Sequence, residues 1–309
     1  MFRRKYGTAL CALVLIALPA LLNDPFITHL GVRAATYAIV VMGLTLFAGY
    51  TGQISLGHAA FFGLAAYLSG MMAKAGVPYL VSVPVATAAV GVLGCLVGML
   101  VLRTSGHYLA LASIAVAVIV QAIIKNSTIT GGPSGLTAVP APDFFGWSLT
   151  SDLGYYYYVL LCMFAGFVIL RRVIDSRTGD ALQAIANNEL AAQSLGIPVF
   201  RYKVLSFTIS TLFAAFAGTL FVHYDGFIDP DRLGIHVSVL FLIMTFVGGI
   251  GNIYGSVIGA FALTIIEECA QEFGQYNILV YGLLLALVIL FLPKGLVDLP
   301  NKLKSLRAR

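Results

Sequence analysis

The sequence predicts an all-α protein, a polytopic transmembrane bundle of about ten spans. One observation is composition: 60% of the 309 residues are hydrophobic and 10% are charged, against about 45–50% and about 25% in soluble domains. A second is that the charge-free runs come in lengths suited to crossing a bilayer. The third is that lysine and arginine collect in alternate connections between those runs. A crossing takes roughly 20 apolar residues, because about 30 Å of hydrocarbon is spanned at about 1.5 Å per residue.

In order along the chain, Tyr6 to Asn23 supplies the first span. Ala34 to Ala73 is long enough for two, with a glycine-rich break at Gly49 to Gly57. Ala75 to Leu102 suits one tilted or overlong helix. Thr104 to Ile124, Leu153 to Leu170 and Val204 to Tyr224 suit one helix each. Leu233 to Ile266 again holds two, broken at Gly248 to Gly255, and Phe273 to Pro293 is the last. A turn, a kink or a re-entrant segment at either break is compatible with the same residues.

Cytoplasmic loops accumulate lysine and arginine. With both termini in the cytoplasm, the inner segments hold Arg3, Arg4, Lys5, Arg103, Arg171, Arg172, Arg177, Arg201, Lys203, Lys294, Lys302, Lys304, Arg307 and Arg309, which is 14 of the 18 basic residues. Arg33, Lys74, Lys125 and Arg232 fall outside. Reading one long run as a single crossing would put the two basic termini on opposite sides. The amino terminus also has the basic-then-apolar look of a secretory signal, but without a convincing small-x-small cleavage site it reads as a retained helix. The net charge of +5 reflects the inner basic excess and contact with anionic lipid, not nucleic acid. Cys11, Cys95, Cys162 and Cys269 lie scattered in apolar runs and read as buried small hydrophobes. Residues 1–309 form one transmembrane domain, and its longest exposed loop is Lys125 to Asp152.

Chemistry within the chain finds little support. No phosphate-binding loop, H-E-x-x-H or G-x-S-x-G motif is present, so ATP hydrolysis or metal chemistry would belong to other subunits. Ion-coupled transport leaves ionisable residues deep in the spans, and here those positions are almost empty. Glu267 and Glu268, with Glu272 behind them, read as headgroup-level caps at the outer end of the ninth span. His58 and His107 begin the third and fifth spans near the inner surface and read as interfacial or hydrogen-bonded histidines.

One polar stretch interrupts the hydrocarbon: Thr178 to Ile197, TGDALQAIANNELAAQSLGI, within the loop 171–203. Asp180 can cap a helix, Leu182, Ala186 and Leu190 recur at i+4 with Ile185 beside them, and Gly196 is a natural carboxyl cap. The expectation is a short amphipathic cytoplasmic helix. An amphipathic helix lying on lipid would carry a basic polar face; here the charges are acidic, Asp180 and Glu189, which favours a protein partner.

This segment resembles the coupling loop of ATP-binding cassette importer permeases. Glu189-Leu190-Ala191-Ala192, then three residues, then Gly196 keeps the core spacing of that motif, although the family's later I-x-L-P element does not follow. The match is to the branched-chain amino acid subclass and its M-type permeases, related to an H-type sibling, with Asp180 where arginine is common. GYTGQISLGH at Gly49 to His58, ITGGPSGL at Ile129 to Leu136 and GGIGNIYGSVIGA at Gly248 to Ala260 resemble further segments of the same family. The resemblance implies coupling to an ATPase through Asp180, Ala181, Ile185, Glu189, Ala191, Ala192 and Gly196. It also implies a heterodimer with a sibling permease, two ATPase subunits holding ATP and Mg, and an extracytoplasmic binding protein that docks on the outer loops, where Asp225, Asp229 and Asp231 lie. No cofactor would be bound by this chain.

The glycine segments have a physical reading of their own. Gly251, Gly255 and Gly259 lie four apart and predict a small-xxx-small packing face. At the other break, Gly49, Gly52 and Gly57 can interrupt a helix while Thr51, Gln53, Ser55 and His58 supply polar groups. Irregular backbone at that depth is tolerated only inside protein or beside a cavity, so these residues are candidates to line a substrate pathway, with a plain structural kink as the alternative. A half-helix end there could face the carboxylate or ammonium of a zwitterion. The expected function is a permease subunit importing branched-chain amino acids across the inner membrane of a prokaryote. The alternatives are a permease for urea or short amides, a stand-alone channel for small neutral solutes, and a noncatalytic membrane scaffold.

Overall fold

The computed structural model describes residues 24–104, 106–144, 147–149, 151–271, 282–283 and 295–296. The expected first span, Tyr6 to Asn23, lies outside the described residues, as does the last, Phe273 to Pro293, apart from Gly282 and Leu283.

The Asp24 side chain accepts the Phe26 amide at 2.9 Å, and Pro25 takes the first helical position of α1, Pro25–Thr51. Both residues suit a helix start: the carboxylate satisfies an orphan amide, and proline has no amide to lose. The helix thus begins well before the charge-free run and carries Arg33 within it. It can do so because the Arg33 guanidinium is paired, 2.9 Å from Glu267 and 3.0 Å from Glu268. The two glutamates are therefore ion-pair partners across two helices, more than solvated caps.

Next come α2 (His58–Lys74), α3 (Tyr79–Val101) and α4 (His107–Asn126), followed by a loop with a two-residue hairpin, β1 (Asp143–Phe144) and β2 (Trp147–Ser148). Ser151 caps α5 (Asp152–Ile174) by accepting the Gly154 amide at 3.1 Å. The loop helices α6 (Arg177–Asn187) and α7 (Glu189–Ser194) precede α8 (Val199–Asp225), α9 (Ile235–Gly248) and α10 (Ile253–Gln271).

Of these, α1, α3, α4, α5, α8 and α10 are long and apolar enough to cross a membrane. The other two apolar helices are not. With 17 residues in α2 and 14 in α9, they reach about 25 and about 21 Å at about 1.5 Å per residue, short of about 30 Å of hydrocarbon. Each long charge-free run therefore divides into one full-length and one short helix.

Helix α8 is the hub, and its packing against α1, α2 and α3 is more extensive than that of any other pair. The pairing of His58 with Ser210 sets the head of α2 beside the middle of α8, so α2 runs along only the far half of it. Tyr37, Phe62, Phe221 and Phe241 interlock edge-on and stacked at 5.3–6.5 Å between ring centroids where α1, α2, α8 and α9 meet. By contrast α3 and α4 present exposed apolar faces, including Leu93, Leu96, Leu111, Ile119 and Ile123, a surface fit for lipid or another apolar subunit.

Candidate functional site

The polar loop folds as two helices, not one. Ser176, not Asp180, caps α6, accepting the Thr178 amide at 3.2 Å; Asp180 sits in the first turn, where its charge faces the positive end of the helix dipole. At Asn188 the backbone swings to an extended conformation (φ −161°, ψ 109°), and the Asn188 side chain accepts the Ala191 amide at 3.0 Å to start α7. This break ends the expected i+4 apolar series. Leu182, Ile185 and Ala181 turn inward, and α6 packs against α1, α5 and α8. Ala186 and Leu190 fall on the exposed side, with Leu190 76% exposed.

Gly196 ends α7 at φ +82°. Its amide donates to the Gln193 carbonyl at 2.9 Å and the Ile197 amide to the Ala192 carbonyl at 3.1 Å, the double bond pattern of a left-handed helix cap. Ala192 is buried against Ile185 and Val199, while Ala191 faces out. Glu189 turns toward the bundle, its carboxylate accepting from the Lys203 ammonium at 2.6 Å. The outward face of the loop is thus Asp180, Gln183, Ala186, Leu190, Ala191 and Leu195, the last 80% exposed.

The second candidate region is narrower than the sequence suggests. Helix α1 runs through Gly49 and ends at Gly52 (φ +67°), so the irregular stretch is 52–57. The Thr51 hydroxyl donates to the Phe47 carbonyl, and Gln53 reaches the Thr51 carbonyl at 3.5 Å. Ser55 is buried and its Oγ accepts the Gly57 amide at 3.4 Å.

Helix α2 then starts inside the bundle, where hydroxyls from other helices take its free amides. Ser113 of α4 accepts from the Leu56 amide at 2.9 Å and Ser238 of α9 from the Ala59 amide at 3.1 Å. An unpaired buried amide is costly, so these serines are what permits a helix to start there. They also occupy donors that a substrate carboxylate would have used.

His58 is fully buried, not interfacial. Its Nε2 is 2.7 Å from Ser210 Oγ and its Nδ1 has no partner among the described residues. His107, in contrast, is exposed at the start of α4. A groove of about 440 Å³ opens elsewhere, between α3, α5 and α8, lined by Leu80, Val83, Thr87, Tyr158, Leu212 and Phe216; none of the 49–58 residues borders it.

In the late glycine segment, Gly251 is not on the helix face with Gly255 and Gly259. It lies in the turn before α10 at φ +74°, against the backbone of Gly49. Gly255 and Gly259 are in α10 and face Gly248 and Met244 of α9. Among the described residues no group of three or more His, Cys, Asp or Glu side chains could hold a metal ion.

Reading the sequence alone missed the partners that make these places: Ser113, Ser210 and Ser238 looked like incidental hydroxyls in apolar runs, and Lys203 like one more inner basic residue. The pairing of Arg33 with Glu267 and Glu268 was legible only as charges at similar depth. Arg33→Leu is expected to lower stability by about 1–3 kcal/mol, because it leaves two half-buried carboxylates side by side. Arg33→Lys should recover part of that loss. Thermal unfolding of the purified chain in detergent checks both.

Comparisons with known proteins follow the same lines. Residues 26–292 match the family model described as branched-chain amino acid transport system, permease component. The chain is 31% identical to the high-affinity branched-chain amino acid transport system permease protein LivM of Salmonella typhimurium, over 88% of this chain and 71% of that protein. It is likewise 31% identical to LivM of Escherichia coli K12, over 87% and 70%. To the LivH permease protein of Salmonella typhimurium it is 28% identical, over 86% and 92%. No solved structure matches the chain.

Proposed function

The chain belongs to the permease-component family of branched-chain amino acid transport systems, and from that premise we propose that it is the transmembrane permease subunit of an ATP-binding cassette importer. Its cargo is branched-chain, hydrophobic amino acids, carried across the cytoplasmic (inner) membrane of a prokaryote. The family is one of transporter permeases, and this subunit performs no chemistry of its own; ATP and Mg belong to two partner ATPases. A sibling permease completes the membrane domain, an extracytoplasmic binding protein delivers the cargo, and the chain crosses the membrane about ten times with both termini in the cytoplasm, a count that takes the short α2 and α9 as crossings completed by the irregular stretches beside them.

The observation that carries the coupling role is the outward face of α6 and α7. Leu190 and Leu195 stand 76% and 80% exposed on a loop whose opposite side is anchored on α1, α5 and α8. The exposed leucines lie among small residues, with exposed Arg177 and Arg201 only at the two ends of the loop and no lysine or arginine between them, which fits a protein surface better than lipid headgroups. Force applied there reaches α1 and α8, whose Phe47 and Ser210 lie against His58 at the head of α2. Transport then follows if the ATP-bound partners favour one arrangement of the paired membrane domains over the other, since only differential binding shifts such an equilibrium.

The test is ATP-dependent uptake of radiolabelled leucine into liposomes holding this chain, its sibling permease, the ATPases and the binding protein, each omitted in turn. Uptake that needs every component is expected. Leakage through this chain alone, without ATP, would replace the importer with a channel. Leu190→Asp is expected to release the ATPases from the membrane complex, read by their co-purification; unchanged co-purification would remove this face from the contact.

A further inference from the structure

The loop helix α7 is too short to hold its own position. Six residues do not sustain an isolated helix, and α7 buries only Ala192. It is jointed on both sides, by the extended Asn188 before it and by Gly196 and Pro198 after it. One strong contact ties it to the bundle, the Lys203–Glu189 pair at 2.6 Å. The two sides of that pair differ in exposure: the Lys203 side chain is 4% exposed, that of Glu189 39%. Lysines are almost never buried to that degree without a partner. An ammonium so placed loses heavily if its carboxylate moves away, because water does not replace it. A surface ion pair would have no such hold.

We propose that Lys203 and Glu189 form the tether through which displacement of the loop is passed to α8, so that α7 and the near end of α8 move as one body. This rests on the coupling reading of the 171–203 loop. It also separates two jobs within the loop. Leu190 and Leu195 face outward, whereas Glu189 faces inward and is a positioning residue that acts through α8. The consequence inside the bundle follows from contacts on α8 itself. Phe207, one turn beyond Lys203, packs edge-on against Phe47 of α1 at 5.1 Å and His58 at 5.7 Å. Ser210 then holds His58 at the head of α2. A shift of α8 driven through Lys203 therefore acts on the end of α1, the 52–57 stretch and the start of α2 together.

The experiment uses the complete reconstituted complex and reads leucine uptake and ATP hydrolysis side by side. Lys203→Met is the first variant, since it removes the buried charge and leaves Glu189 half-exposed, where water can solvate it. Uptake is expected to fall at least about ten-fold while hydrolysis changes less than about two-fold, a split that simple loss of folded complex would not produce; the tenfold step corresponds to about 1.4 kcal/mol of lost coupling. The exchanged pair Lys203→Glu with Glu189→Lys restores attraction and should recover most of the uptake. Equal loss of both readouts in Lys203→Met that the exchanged pair does not reverse would overturn the tether, as would full uptake in Lys203→Met. Leu190→Asp run in parallel keeps the two readings apart. If it uncouples while Lys203→Met does not, the tether alone falls; if neither variant affects coupling, the assignment of the loop falls first.

Discussion

Gly196→Pro is expected to abolish ATP-driven uptake while leaving the chain inserted in the membrane. Gly196 sits at φ +82° and donates its amide to Gln193. Proline is locked near φ −65° and has no amide, so both features are lost at once, at a cost of about 3 kcal/mol or more against the observed cap. That is roughly a hundred-fold fall in its population. The damage stays local, because a Cβ at Gly196 would meet nothing within 4 Å and the residue lies outside the packed helices. Gly196→Ala isolates the backbone term: it keeps the amide and should cost only about 1–2 kcal/mol for left-handed strain, with uptake reduced but measurable. Normal uptake in Gly196→Pro, with the protein present in the membrane, would mean that the shape of α7 does not matter to coupling.

Gly49→Ala is expected to destabilise the whole bundle, against the usual trend. Inside a helix, alanine is favoured over glycine by about 1 kcal/mol. At Gly49, however, a Cβ would lie 2.6 Å from the Cα of Gly251, and backbone cannot swing aside as a side chain can. Overpacking of this kind costs about 1–3 kcal/mol and outweighs the propensity gain. Gly49→Val, with a larger and stiffer side chain, should be worse and should deplete folded protein from the membrane. Unfolding midpoints in detergent, compared for the two variants, decide it; a midpoint raised by Gly49→Ala would mean the α1 contact with the 249–252 turn is not tight.

The different fates of Gly49 and Gly251 illustrate what a one-dimensional reading could see. Glycine clusters at 49–57 and 248–255 marked two places where helices stop, and the helices do stop there. Which glycine serves a turn and which a close approach depends on the facing chain, and Gly49 and Gly251 turn out to face each other. The same holds for the polar loop. Its helical character and its carboxyl cap at Gly196 were legible, because caps and periodicity are local. The break at Asn188 was not, since nothing in the pattern NNEL distinguishes an exposed asparagine from one that stops a helix and starts the next. Once the helix breaks, Leu190 leaves the buried face that Leu182 and Ile185 keep.

By itself the sequence determined that this is a helical membrane protein, roughly where its helices run, and which loop stands apart from the rest. Those properties follow from each segment separately, since a bilayer asks every crossing to be long, apolar and internally hydrogen-bonded. Tertiary structure alone decided the polar partners: Leu56 with Ser113, His58 with Ser210, Ala59 with Ser238, Arg33 with Glu267 and Glu268, Thr45 with Ser256 at 2.6 Å. Partners such as Arg33 and Glu268 lie 235 residues apart in the chain, and hydrophobic patterning carries no information about which hydroxyl or carboxylate will meet which donor. It is these meetings that let α2 begin inside the bundle and a charged arginine sit within α1, because burying a helix start or a guanidinium with none of its donors paired is costly.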